Sequence, residues 1–162
     1  MNPNSPIKES ARTVVTGVLG IREGEQFLII TNPESDVMEI SKALYEAAIE
    51  IGAEATMVVQ PVKTQLDYAN RAALAAFESA PDVCASISHN KMGKDRKAIA
   101  EPYVGANGRK IDHIFHYYMD ERKTLRAIWS PGITVDMFTR TAGIDYALLQ
   151  RRCESICKAL TG

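Results

Sequence analysis

The sequence predicts an α/β fold: a three-layer Rossmann-like domain with a mainly parallel sheet of four or more strands and helices on both faces. Three observations predict it. Glu25–Pro61 holds an apolar run, an amphipathic helix and a second β-type run, which make one β-α-β unit. Phe27 to Ile30 are four consecutive large apolar residues, as in a strand buried on both faces. Helical and extended patterns then keep alternating, and a strand followed by a packed helix and a strand implies a parallel pair with a right-handed crossover.

The elements follow in order. Residues 1–4 read as a loose end. A helix starts at Ser5 with Pro6 in its first turn, and Ile7, Ala11, Val14, Val15, Val18 and Leu19 keep helical spacing. Gly20 and Gly24 bracket a turn. After the first strand, Val37, Ile40, Leu44, Ala47, Ala48 and Ile51 form one apolar helix face. Asn32 or Ser35 is suited to cap that helix, and Gly52 to end it in a left-handed conformation. Arg71–Ala80 reads as a third helix with Leu74 and Phe77 inward, and Val83–Ser88 as a third strand. Residues 89–109 are the least regular, punctuated by Pro102, Gly105, Asn107 and Gly108.

Lys110–Arg122 reads as a helix, apolar at Ile111, Ile114, Phe115, Tyr118 and Met119. Leu125–Trp129 is a fourth strand. Thr134 caps a helix through Arg140, with Val135, Phe138 and Met137 inward. A last helix runs from Asp145 to Leu160, with Leu148, Leu149, Cys153, Ile156, Cys157 and Leu160 on one inward side. No internal repeat or second core is evident, so residues 1–162 are expected to form a single domain.

The composition is that of an ordinary globular protein: 46% hydrophobic and 24% charged. Nineteen basic and twenty acidic side chains give a formal charge of −1. That balance gives no electrostatic case for nucleic acid or an anionic membrane. No apolar run approaches the roughly 18 residues a membrane helix needs, and the first ten residues lack the apolar centre of a signal peptide. The expected location is the cytoplasm. Cys84, Cys153 and Cys157 are an odd number and are expected to be reduced.

Four constellations bear on chemistry. Thr31–Asp36 lies at the carboxyl end of the first strand, where open α/β sheets bind ligands, and a helix N-terminus there faces an anion. It lacks the glycines of a phosphate loop, and a capping role for Asn32 and Ser35 is sufficient to account for it. Ser86, Ser88 and His89, with Lys91, Lys94, Arg96 and Lys97, follow the third strand. This cluster reads as a site for an acidic ligand or subunit, as a nucleophilic serine beside a histidine, or as a solvated loop. His113 and His116 share a helix face and are candidate metal ligands, or plain boundary histidines. Cys153 and Cys157, four apart on the last helix, could bind a metal or react, but both fall on an apolar stripe and read as buried small hydrophobes. Tyr117, Tyr118 and Trp129 read as core and rim aromatics. The candidate ligand-binding residues are therefore Asn32, Ser35, Ser88, His89, Lys91 and Arg96; no catalytic residue is identified.

Three segments carry a resemblance: residues 18–31 (Val-Leu-Gly-Ile-Arg-Glu-Gly-Glu-Gln-Phe-Leu-Ile-Ile-Thr), 43–54 (Ala-Leu-Tyr-Glu-Ala-Ala-Ile-Glu-Ile-Gly-Ala-Glu) and 130–138 (Ser-Pro-Gly-Ile-Thr-Val-Asp-Met-Phe). Ile144-Asp145-Tyr146 fits as well. Together they resemble the N-terminal domain of the thermophilic-type metallo-aminopeptidases (the aminopeptidase T and S, leucyl aminopeptidase-like group), related to 2,5-dihydroxypyridine dioxygenase. The resemblance implies a non-catalytic scaffold that forms a cleft wall and a subunit interface. It implies a divalent metal (zinc, cobalt or iron) held only by a following catalytic domain, and a homo-oligomer or a catalytic subunit as partner. No ligand motif of that family has a counterpart here, and the basic run 89–97 with the Pro102–Gly108 loop departs from its pattern. The alternative expectation is a stand-alone Rossmann-like module binding a small anionic ligand or a protein partner.

Overall fold

The computed structural model describes residues 5–161; residues 1–4, read above as a loose end, lie outside the described residues. Four strands form one parallel sheet: β1 (Gln26–Thr31), β2 (Glu54–Val59), β3 (Val83–Ile87) and, numbered in chain order, β6 (Arg126–Trp129). Their spatial order is β2-β1-β3-β6. β1 pairs with β2 from Gln26↔Glu54 to Thr31↔Val59 and with β3 from Phe27↔Val83 to Thr31↔Ile87. This is the α/β, three-layer Rossmann-like architecture that the alternation predicted.

The alternating side chains of the central strands build both layers. Phe27, Ile29, Val83, Ala85 and Ile87 pack against helices α1 (Pro6–Thr13), α2 (Ser35–Glu50) and α6 (Val135–Thr141). Leu28, Ile30 and Cys84 face the opposite way, onto Phe77 of α3 (Arg71–Glu78) and onto Ile114 and Phe115 of the short α5 (Ile114–His116). Such double burial explains why β1 is an uninterrupted apolar run. The crossover helix α2 ends at Gly52, whose φ of +81° favours glycine, and Gly52 O accepts the N–H of Gly24 at 2.9 Å.

Several expectations are corrected. The first helix is α-helical only to Thr13; Val14–Val18 is a π-helical turn. Residues 89–109 contain α4 (Arg96–Ala100), capped by the Asp95 side chain accepting from Ala98 N–H. Tyr103–Val104 (β4) pairs antiparallel with Lys110–Ile111 (β5). Lys110 and Ile111 are thus strand, not the start of a helix. The helix begins at Ile114, where the His113 side chain caps it by accepting the N–H of Phe115, and it continues as a π-helical segment to Arg122. Thr134 does cap α6, but Met137 points outward and only Phe138 is buried.

The largest correction concerns the last helix, α7 (Tyr146–Thr161). Its start agrees with expectation, since Asp145 Oδ1 accepts the N–H of Leu148 at 2.9 Å. Its apolar side does not face inward: none of its residues is buried. Cys153 and Cys157 are exposed rather than buried hydrophobes. Local periodicity fixed the stripe, but no neighbouring element among the described residues covers it.

Candidate functional site

The carboxyl ends of the strands are held together by two buried side-chain amides. Asn32, just past β1, donates from Nδ2 to Gln60 O at 2.9 Å and to Pro61 O at 3.3 Å. Its Oδ1 accepts the N–H of His89 at 2.8 Å. Gln60, just past β2, donates from Nε2 to Met92 O at 2.7 Å and accepts the N–H of Asn70 at Oε1, at 2.9 Å. Both residues are almost wholly buried, so these bonds satisfy groups that water does not reach. Asn32 therefore joins β1 to the loops after β2 and β3. It does not cap α2: the N-cap position belongs to Glu34, whose side chain makes no capping bond, and Ser35 is the exposed first helical residue.

The loop after β3 is tied to the loop after β2. Lys91 N–H donates to Lys63 O, Lys94 N–H to Asp67 O and Ala69 N–H to Lys94 O, at 2.8–3.0 Å. Gly93 sits in this seam with a φ of +97°, so close to Ala69 that a Cβ would stand 2.5 Å from the Ala69 nitrogen. Only glycine meets both conditions. On the other side, Asp95 is buried and accepts from Ala98 N–H at Oδ1 and from Ile114 N–H at Oδ2, 3.1 Å. His113 Nε2 reaches Gly93 O at 3.1 Å while its Nδ1 accepts from Phe115 N–H. These partners define a neutral imidazole with its proton on Nε2. Burial holds its pKa below the ordinary histidine value, opposed by the Gly93 hydrogen bond and the nearby Asp95 carboxylate.

This framework encloses a cleft of about 240 Å³ beyond the carboxyl ends of β3 and β6. Met92, Ile99, Phe115 and Trp129 supply apolar walls, and Lys91, Lys94, Gln65 and His116 supply polar groups. The Lys91 ammonium lies 4.9 Å from the centre of the Trp129 ring. Lys94 Nζ and the Arg96 guanidinium lie 4.8 and 4.1 Å from the centre of the Tyr68 ring. Cation–π contacts of this kind hold flexible cations at fixed positions.

The candidates from sequence are distributed as follows. Lys91 lines the cleft, and Arg96 packs on Tyr68 next to Lys94. Ser88 is fully buried with its Oγ 3.5 Å from that of Ser86, while the His89 side chain is exposed, so they form no serine–histidine pair. His113 has both ring nitrogens in hydrogen bonds, and His116 Nδ1 faces Asp120 at 3.3 Å. Among the described residues no group of three or more His, Cys, Asp or Glu side chains is arranged to hold a metal ion. Gln60, Asp95 and Gln65 were not singled out from sequence. Asp95 was accessible as an Asp preceding Arg-Lys-Ala, a helix-start signal; Gln60 and Gln65 carried no local signal.

No protein-family model and no curated protein matches the chain. Among solved structures, it is similar to 2,5-dihydroxypyridine dioxygenase from Pseudomonas putida KT2440, at 19% identity and a TM-score of 0.41, over 56% of this chain and 31% of that one. It is also similar to fatty acid AMP ligase from Legionella pneumophila, at 14% identity and a TM-score of 0.38, over 83% of this chain and 19% of that one. The chain thus spans less than a third of either neighbour's length. Neither of these two is an aminopeptidase, and likenesses at this level bear on neither activity nor substrate.

Proposed function

We propose that this chain is an amino-terminal scaffold unit of a metal-dependent aminopeptidase or a related metallo-enzyme, forming one wall of a cleft and an interface with the unit that carries the metal. The observation that carries this reading is α7. Tyr146, Leu149, Cys153, Ile156 and Leu160 recur at alternating three- and four-residue spacing, the pattern of a helix made to pack along one seam. Yet Ile156 is 60% and Leu160 81% exposed. An apolar helix face of this length calls for a partner. The sequence resemblance of residues 18–31, 43–54 and 130–138 supports the choice of family. His113 and His116 are engaged by the protein itself, and no group of three or more His, Cys, Asp or Glu side chains gathers among the described residues, so these residues do not fit the family's metal and no catalytic step is derived through it.

The reading is tested on two fronts. After dialysis against zinc or cobalt, this chain is expected to retain no stoichiometric metal and to release no product from leucine anilides. Stoichiometric metal with robust turnover overturns the scaffold role. The natural reading frame is expected to continue past Gly162 into a Glu-, His- and Asp-bearing ligand set; its absence overturns the family.

A second reading, a Rossmann-like module binding a small anion, is favoured by the cleft. Lys91 and Lys94 line the cavity, and among the described residues no carboxylate lies within 4 Å of either ammonium.

A further inference from the structure

We propose that the cleft between the β3 loop and α5 takes a small aromatic carboxylate, its anionic group on Lys91 and Lys94 and its ring against Met92, Ile99 and Phe115. This rests on the second reading above and names the ligand class for that site. Three features lead to it. The first is size. A volume of about 240 Å³ falls just short of the roughly 300–1,000 Å³ of drug-sized sites, which suits one ring.

The second is charge. Four carboxylates stand near the cleft, and three of them are accounted for. Asp95 lines the cleft but is buried, and both its oxygens accept backbone N–H groups. Asp120 faces His116, and Asp67 accepts from Thr64. Asp112 also lines the cleft and is exposed. The neutral His113 adds no charge. The two ammoniums, each resting on an aromatic face, keep N–H donors for an incoming anion. Their positions are already restrained, so binding orders less side chain.

The third is the character of the walls. Phosphate is held by arginine forks and by backbone nests in glycine-rich turns. Neither lines this cavity: Arg96 stacks on Tyr68, and the one glycine, Gly93, is packed against Ala69. Apolar walls together with the lysines Lys91 and Lys94 match a body that is flat and apolar with one anionic end.

Trp129 is the single tryptophan of the chain and lines the cleft, so its fluorescence reports on the site directly. The full chain is titrated with benzoate, the neutral isostere benzamide and inorganic phosphate. The expected result is a saturable change with benzoate, at least about tenfold weaker with benzamide or phosphate. The double variant K91Q/K94Q, shown to be folded by circular dichroism, is expected to lose the benzoate response. If the variant does not fold, the contrast between benzoate and benzamide on the unmodified chain decides. Equal responses to benzoate and benzamide overturn the anionic character. A phosphate response matching that of benzoate overturns the aromatic class while the anion-binding reading stands. No saturable response to benzoate or phosphate overturns both.

Discussion

The side-chain oxygen of Asn32 accepts the backbone N–H of His89 at 2.8 Å, across 57 residues of sequence, while the same amide donates to the β2 loop. One buried residue thereby sets the positions of two loops that meet at the cleft. Asn32→Ala leaves three backbone groups without their partner. The expected loss is roughly 3 kcal/mol, since each orphaned buried group costs about 1–3 kcal/mol. At about 2–4 °C per kcal/mol for a chain of this size, the melting temperature falls by about 6–12 °C. Asn32→Asp keeps the acceptor for His89 but points a carboxylate oxygen at two carbonyls, and is expected to be no better. Thermal melts of both variants check this; an unchanged melting temperature removes Asn32 from this role.

Gly93 and Gly20 separate close approach from mere backbone handedness. Both have positive φ, but a Cβ at Gly20 meets nothing within 4 Å, whereas at Gly93 it strikes the Ala69 backbone. Gly20→Ala is expected to cost about 1 kcal/mol. Gly93→Ala adds a steric clash with main chain to its strain and is expected to cost about 3 kcal/mol or more. Urea unfolding midpoints of the two variants measure the difference. Equal costs mean that the two loops are not held in this contact.

His113 makes stability depend on pH with a definite sign. Its folded pKa lies below the ordinary value of 6.5, chiefly through burial. The unfolded chain therefore takes up a proton first as pH falls, which favours unfolding. Well above pH 6.5 both states are neutral and the effect is absent. Between about pH 7 and pH 5 the unfolding free energy is expected to decline, by at most about 1.4 kcal/mol per pH unit from this group. His113→Asn retains an acceptor for Phe115 and removes the titration, so its profile is expected to be flatter there. Urea midpoints across this range decide it; superimposable profiles refute the assignment.

The cysteines and α7 give a test of burial. Cys153 and Cys157 are exposed, whereas Cys84 is fully buried and its thiol is pushed well above the ordinary range by that burial. A colorimetric disulfide reagent is expected to react with two thiols in the native chain and with the third only in denaturant. Ile156→Asp and Leu160→Asp are expected to change stability by less than about 0.5 kcal/mol. Phe138→Ala, at a position 2% exposed on the inner face of α6, is expected to cost about 3–5 kcal/mol. A large loss with the α7 variants means that the stripe is already covered.

Sequence by itself determined the parts that depend on near neighbours. The run Phe27–Ile30 marked a doubly buried strand, because alternate side chains must fill both layers. The periodicity from Val37 to Ile51 and the stop at Gly52 marked the crossover helix, and Thr134 and Asp145 marked helix starts through their capping chemistry. Four parallel strands follow from those local signals.

Only the tertiary structure decided which polar groups are used internally and which face a cavity. Asn32 and Ser35 look alike as caps in sequence. The difference arises because β1 lies between β2 and β3, which brings the carbonyls of Gln60 and Pro61 and the N–H of His89 around Asn32 alone. Lys91, Trp129 and His113 come from three separate segments and share a cleft because β6 pairs with β3 and α5 folds over their ends. The same reason explains α7: periodicity defines an apolar face, but covering it requires an element placed against it, and packing across distant residues is a property of the whole arrangement.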